Sequence, residues 1–72
     1  MKRVRVEANQ FVTITCRKMV IKPADPRKPF VVQDINNVEL ARVIYVEELY
    51  WEFDEEKTLT FRCSQNAEVS YE

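Results

Sequence analysis

The chain has 72 residues, a formal net charge of −1, two cysteines, and neither glycine nor histidine. A chain of this length encloses one hydrophobic core, so we expect a single domain over residues 1–72. Without glycine there is no glycine-rich phosphate-binding loop, and without histidine the commonest general base and zinc ligand are missing. We therefore predict a protein that is not an enzyme and that binds no cofactor and no metal.

The first residues are basic, but no apolar stretch of the kind found in secretory signals follows them. The apolar run Val43–Val46, near the centre of the chain, is far too short to span a membrane. From these two features we expect a cytoplasmic protein with no membrane partner.

Two stretches near the N-terminus, Lys2–Ala8 and Phe11–Cys16, alternate apolar and polar residues, which is typical of strands with one buried face. A three-residue loop beginning at Asn9 would join them as a hairpin, with Asn9 in the left-handed conformation that glycine usually adopts. This register places Val6 opposite Ile14, so that all the inward residues share one face.

The second strand can continue through Met19–Lys22. Three prolines within seven residues then predict a loop over Pro23–Pro29, because proline removes a backbone donor and biases its predecessor to extended geometry. A short apolar strand is predicted over Phe30–Gln33.

Asn36 followed by Glu39 matches a helix capping box, so we predict a short helix that ends near Arg42. The residues after it are mostly β-branched or aromatic, which favours a strand over Val43–Phe53. A single longer helix over about 37–53 is the alternative.

The C-terminal half contains the clearest predicted hairpin. Leu49–Phe53 and Leu59–Cys63 alternate in the same way, and a five-residue loop between them would bury Trp51 near Phe61. Ala67–Tyr71 is predicted to form a last strand, with its odd-numbered residues inward.

These elements predict a mainly β protein, either a small antiparallel sheet or a partly closed barrel of five to six strands with one short helix. The alternative is an α+β fold with the longer helix at about 37–53.

Both cysteines, Cys16 and Cys63, end inward-facing runs, so we expect them to be buried, reduced and near each other. Two thiols without other soft ligands make no zinc site, and a thiolate nucleophile would lack its histidine. A disulfide is the alternative.

Charge is segregated along the chain. Residues 1–28 hold eight basic and two acidic side chains, a net charge of +6, whereas residues 29–72 hold three basic and ten acidic side chains, a net charge of −7. One interpretation is that strands from the two halves interleave and pair opposite charges across the sheet. The other is a molecule with one basic and one acidic surface, each of which attracts a partner of opposite sign.

The segment from Glu47 to Glu56 holds six carboxylates and three aromatic rings but no basic residue. It lacks the ligand pattern and the glycine of a calcium loop. Carboxylates beside an exposed Tyr50 would suit a basic groove on another protein, while an ordinary solvated hairpin tip is the alternative. The predicted binding residues are Glu47, Glu48, Tyr50, Glu52, Asp54, Glu55 and Glu56.

The basic N-terminal half predicts an alternative surface for nucleic acid. Phosphates would contact the cations and bases would stack on Phe11 and Phe30, as in small barrels that bind single strands. The isoelectric point near 5.5 argues against a dedicated nucleic-acid binder. The residues of this alternative face are Arg3, Arg5, Arg17, Lys18 and Lys22.

The absence of a catalytic, metal or cofactor motif and the segregated charge together predict a small non-catalytic protein-interaction module. It would act as a regulator or inhibitor by binding the surface of a larger partner, one with a basic surface. The alternative is a small nucleic-acid-binding β-barrel that uses the basic N-terminal half. A homo-oligomer, or a subunit of a larger assembly, is compatible with the same features.

Overall fold

The computed structural model describes residues 1–72 as one antiparallel sheet of six strands, and it contains no helix. The strands are β1 (Lys2–Val6), β2 (Val12–Pro23), β3 (Phe30–Asp34), β4 (Glu39–Val43), β5 (Leu49–Cys63) and β6 (Ala67–Tyr71). Their order across the sheet is β1-β6-β2-β5-β3-β4, so β1 and β4 are the two edges and the sheet does not close. The predicted β class and small antiparallel sheet are therefore confirmed.

The two long strands, β2 and β5, connect the two halves of the sheet. The C-terminal half of β2 pairs with β6, and the C-terminal end of β5 pairs with β3. Both halves contribute inward side chains to one buried cluster, so the sheet curves around a single core. The core residues are Val6, Ile14, Cys16, Met19, Ile21, Phe30, Val32, Phe61, Cys63, Ala67 and Val69.

A bulge in the middle of β2 keeps two cations out of this core. The inward positions shift from even to odd numbers between Cys16 and Met19. The backbone N–H groups of Arg17 and Lys18 both donate to the carbonyl oxygen of Glu72, at 2.7 and 3.1 Å. One extra residue is thus accommodated, and the alternation restarts with both charged side chains directed away from the core.

The predicted N-terminal hairpin is wrong. β1 pairs with β6, which places Val6 opposite Ala67, and the first half of β2 pairs with β5. The inward faces were nevertheless predicted correctly, because Val6 and Ile14 are both buried. Asn9 does adopt the left-handed conformation, with φ of 64°, but its N–H donates to the carbonyl oxygen of Cys63 at 2.7 Å.

The predicted C-terminal hairpin is also wrong, because Leu49–Cys63 is one strand. Trp51 lies opposite Met19 and is half-buried, whereas Phe61 lies opposite Val12 and is fully buried. The predicted loop holds a single aspartate as its only turn-favouring residue, and β2 pairs with the chain on both sides of residues 53–56.

No helix begins at Asn36, so the short predicted helix and its longer alternative are both wrong. The carboxylate of Asp34 accepts the N–H groups of Asn36 and Val38, at 2.8 and 3.0 Å. These bonds close a turn in which Asn37 has a φ of 62°. The chain therefore reverses and returns as β4, Glu39–Val43, paired antiparallel with β3.

The predicted strand Val43–Phe53 is wrong in its first half, because β4 ends at Val43 and β5 begins only at Leu49. The remaining elements agree with prediction. The strand at 30–33 is present and extends to Asp34, and the last strand spans Ala67–Tyr71 as predicted. The proline-rich loop begins one residue later than predicted, because Pro23 ends β2. The N–H of Asp25 in this loop donates to the side-chain oxygen of Gln65 at 2.7 Å, which fixes the loop to the turn before β6.

Candidate functional site

The acidic segment predicted as a binding site contains a large bulge in β5. Four residues, Phe53–Glu56, lie opposite the single residue Arg17 of β2. Extra residues in one strand interrupt pairing and bend that strand. Phe53 is half-buried against the core, while the three acidic residues that follow it are exposed. We call Phe53–Glu56 the acidic bulge.

All seven predicted binding residues are exposed. Two lie in the loop before β5, two on the outward face of β5 and three in the acidic bulge, so one continuous stretch of chain displays them. The molecule contains three ion pairs, which join Lys18 to Glu72, Arg27 to Asp25 and Arg42 to Glu39. None of the six carboxylates of the predicted site takes part in an ion pair.

Tyr50 lies within this acidic surface and is 57% exposed, as predicted. Its hydroxyl donates to Oε2 of Glu52 at 2.9 Å. This hydrogen bond, with lesser contributions from burial and from nearby carboxylate charge, raises the pKa of Tyr50. The phenol therefore remains a neutral donor, and its ring is held on the outward face of β5 beside a carboxylate.

Arg17 anchors the acidic bulge, a role that was not predicted. One guanidinium nitrogen, Nη2, donates to the carbonyl oxygen of Asp54 at 2.7 Å. This bond ties the bulge to β2 where the ladder between the two strands is interrupted. The break in alternation between Cys16 and Met19 was the one sequence signal that pointed to an irregularity at Arg17.

We expect Arg17→Ala to loosen the acidic bulge without unfolding the protein. The loss of one charge-assisted hydrogen bond should lower the free energy of unfolding by about 1.5–3 kcal/mol at most. Amide hydrogen exchange of residues 53–56 should become faster, while exchange in β6 is unchanged. Arg3→Ala on β1 is the matched control. Equal exchange in both variants would show that Arg17 does not hold the bulge.

The charges of the two halves of the chain interleave across the sheet. Arg5 of β1 lies opposite Glu68 of β6, and Glu68 in turn lies opposite Lys22 of β2. On the other side of β2, Lys18 lies opposite Glu52 of β5. The strand order thus supports the interpretation that strands from the two halves of the chain interleave and pair opposite charges across the sheet. The cations of β1 and β2 share their face with carboxylates and do not form a continuous basic surface.

The structure also separates the residues of the predicted nucleic-acid face. Phe30 is only 1% exposed and belongs to the core, so its prediction as a stacking ring is wrong. Phe11 is 47% exposed, but the guanidinium of Arg62 lies 5.3 Å from its ring centroid. Arg17 is engaged by the bulge, and Lys18 by its ion pair. Only Arg3, Arg5 and Lys22 of this set have no side-chain hydrogen bond or ion pair.

Sequence reasoning missed a group of exposed apolar residues around the edge strand β4. Five of the eight exposed large hydrophobic side chains in the molecule lie between positions 35 and 45. The prediction of a helix over part of this stretch hid this group. In a strand, alternate residues point to opposite faces, so some of these apolar side chains point to solvent. They are Ile35, Val38, Leu40, Ile44 and Tyr45.

Both cysteines are buried free thiols, as predicted, but they are not near each other. Cys16 lies opposite Lys57, and Cys63 follows six residues later on β5. At about 3.3 Å per residue the separation along the strand is roughly 20 Å, whereas a disulfide needs Cα atoms within about 7 Å. Burial raises the pKa of both thiols, that of Cys63 to about 12, so neither is a ready nucleophile.

The surface beside the acidic bulge is an open groove of about 510 Å³, lined by the cations Arg17 and Lys18, by the carboxylates Glu52, Asp54 and Glu72, and by Phe53. No group of three or more histidine, cysteine, aspartate or glutamate side chains is placed to hold a metal ion. The structure contains no helix with the length and apolar character needed to span a bilayer.

No family model, curated protein or solved structure matches the chain at a significant level.

Proposed function

We propose that this protein is a small non-catalytic interaction module that acts as a regulator or inhibitor by binding a basic surface of a larger protein. The observation that carries the proposal is the acidic surface formed by the loop before β5, the outward face of β5 and the acidic bulge. Its six carboxylates are exposed and none forms an ion pair.

Electrostatics favours a basic partner for this surface. Six exposed carboxylates within ten residues of chain, none of them in an ion pair, repel one another in the free protein. A complementary basic surface relieves that repulsion and steers association. Tyr50 supplies apolar contact area among the charges, as aromatic anchors do in many interfaces. Because β5 pairs with β2 and β3, and Arg17 holds the acidic bulge, the surface is pre-organised for binding.

The proposal is tested by reversing charge at Glu52 and Asp54 together. The partner would first be captured from a lysate of the source cells by immobilised wild-type protein and identified by mass spectrometry. We then expect the double variant Glu52→Lys/Asp54→Lys to associate with that partner about tenfold more slowly at low salt. The difference should shrink as ionic strength rises from about 0.1 M to about 1 M, because salt screens charges on the surface.

Substitution of Arg3 and Arg5 with glutamate is the matched control, since it reverses as many charges on the edge strand β1, away from the acidic surface. Association with the partner should not become slower. If the arginine variant loses binding while the acidic variant keeps it, the interaction face is the basic half of the chain. The alternative proposal, a nucleic-acid-binding β-barrel, would then be favoured. Binding to plain single-stranded DNA or RNA that weakens steeply with salt would support it.

A further inference from the structure

The two edges of the sheet differ in how they are protected from pairing with another chain. β1 carries Lys2, Arg3 and Arg5, and charged residues of this kind discourage the addition of a further strand. β4 has a single cation, Arg42, and its charge is paired with Glu39 of the same strand. The edge at β4 is therefore the one that is open to a further strand.

Backbone groups on β4 point outward without a partner. The N–H of Val31 in β3 donates to the side-chain Oγ of Ser64, and its C=O accepts from the N–H of Ser64, both at 2.9 Å, so both groups point to the side of β5. Val31 and Arg42 are therefore a non-hydrogen-bonded pair in the antiparallel ladder between β3 and β4. It follows that the N–H and C=O of Arg42 point away from the sheet and remain available to another strand.

Apolar side chains surround these free backbone groups. Leu40, the extra residue in a bulge of β4, and Ile44, just after the strand, are both exposed. Tyr45 follows with 74% of its surface exposed and a φ of 61°, and its N–H donates to the carbonyl oxygen of Pro26 at 2.8 Å. A positive φ is unusual for a bulky aromatic residue, and such backbone strain is concentrated at functional sites.

The charges near this edge define the chemistry of the strand that fits it. The loop at Pro26 and the side chain of Arg62 also contact this region, through Tyr45 and Asn37. Once the ion pairs Glu39–Arg42 and Asp25–Arg27 are set aside, the carboxylates Asp34, Glu47 and Glu48 outnumber the cations Lys28 and Arg62, so the remaining charge is negative. A segment that carries basic side chains is therefore attracted, and one that carries acidic side chains is repelled. Its apolar side chains would cover the exposed residues around β4.

We propose that β4 is the docking edge for an extended segment of a partner protein in which apolar residues alternate with lysine or arginine. The segment adds a seventh strand to the sheet, with backbone hydrogen bonds to Arg42 and apolar contacts to Leu40 and Tyr45. This inference rests on the proposed function, since it assigns to the same basic partner a second contact next to the acidic surface.

The test uses a synthetic ten-residue peptide of alternating valine and lysine, with a valine–glutamate peptide as the control. We expect the valine–lysine peptide to slow exchange of the Arg42 amide hydrogen at least about tenfold, and the control peptide to leave it unchanged. Leu40→Lys and Arg42→Pro should each weaken peptide binding at least about tenfold. A lysine protects an edge from pairing, and a proline removes a backbone donor that faces solvent.

Phe11→Lys, which adds the same charge at an exposed aromatic position outside β4, is the matched control and should bind the peptide as wild type does. Unchanged exchange at Arg42 with the valine–lysine peptide would overturn the docking edge. Peptide binding that is unchanged in both Leu40→Lys and Arg42→Pro would also overturn it. Protection of the Arg42 amide by self-association in the absence of peptide would do the same. The double variant Glu52→Lys/Asp54→Lys tests the proposed function separately, because it leaves β4 intact.

Discussion

Replacement of Phe61 by alanine is expected to lower the free energy of unfolding by about 3–5 kcal/mol. Phe61 has no solvent exposure and lies where β5 pairs with β2 on one side and with β3 on the other. Removing its ring leaves a cavity at the junction of the two halves of the sheet. A domain of this length has a total stability of roughly 4–11 kcal/mol, so the variant should lose between about a quarter and all of that stability.

Urea denaturation followed by circular dichroism measures this loss. Phe11→Ala is the matched control, because it removes the same ring from a position at which about half of the side chain is exposed. We expect this control to cost less than about 1 kcal/mol. Denaturation midpoints that fall by the same amount in both variants would contradict the assignment of Phe61 to the centre of the core.

The faces of the strands could be predicted from the sequence, but their partners could not. Alternation correctly predicts that Val6, Ile14, Phe61 and Val69 point inward. A period of two residues fixes which side of a strand is apolar and contains no information on which strand lies beside it. Hairpins between neighbouring segments are the simplest assumption, and this sheet instead pairs β1 with β6 and β2 with β5 across long separations in sequence.

The wrong helix has a different physical cause. Asn36 and Glu39 have the spacing of a capping box, but Asp34 supplies the carboxylate that binds the free N–H groups of this turn. A capping motif is short, and the same side chains also stabilise turns between strands. The β-branched residues that follow were the better guide, since they favour an extended chain.

The acidic surface was predicted as far as exposure and composition allow. What could not be predicted is its shape, because the acidic bulge and its anchor Arg17 depend on the register between β2 and β5. The open edge at β4 was missed for the same reason. Whether a strand lies at an edge is a property of the strand order, which local sequence patterns do not specify.

The free energy of unfolding is expected to decrease as the pH rises above about 9, with Cys63 as a principal cause. Burial raises the pKa of this thiol from its usual 9.0 to about 12 in the folded protein. Between these two values the thiol ionises in the unfolded chain but stays protonated in the folded one. The folded state then binds more protons, so its stability falls with increasing pH. Below pH 9 this contribution to stability is fully present, and it is lost as the pH approaches 12.

Denaturation midpoints in urea at about pH 8 and about pH 11 measure the effect, and Cys63→Ala identifies its source. The alanine variant should be somewhat less stable at the lower pH, because truncation leaves a small cavity, but its stability should decrease less between the two pH values. Every other side chain is the same in both proteins, so its contribution cancels in the comparison. Cys16→Ala should have a smaller effect, because burial and the charge of Glu56 raise the pKa of Cys16 less than burial raises that of Cys63. An equal loss of stability in wild type and Cys63→Ala would mean that the Cys63 thiol is accessible to water in the folded protein.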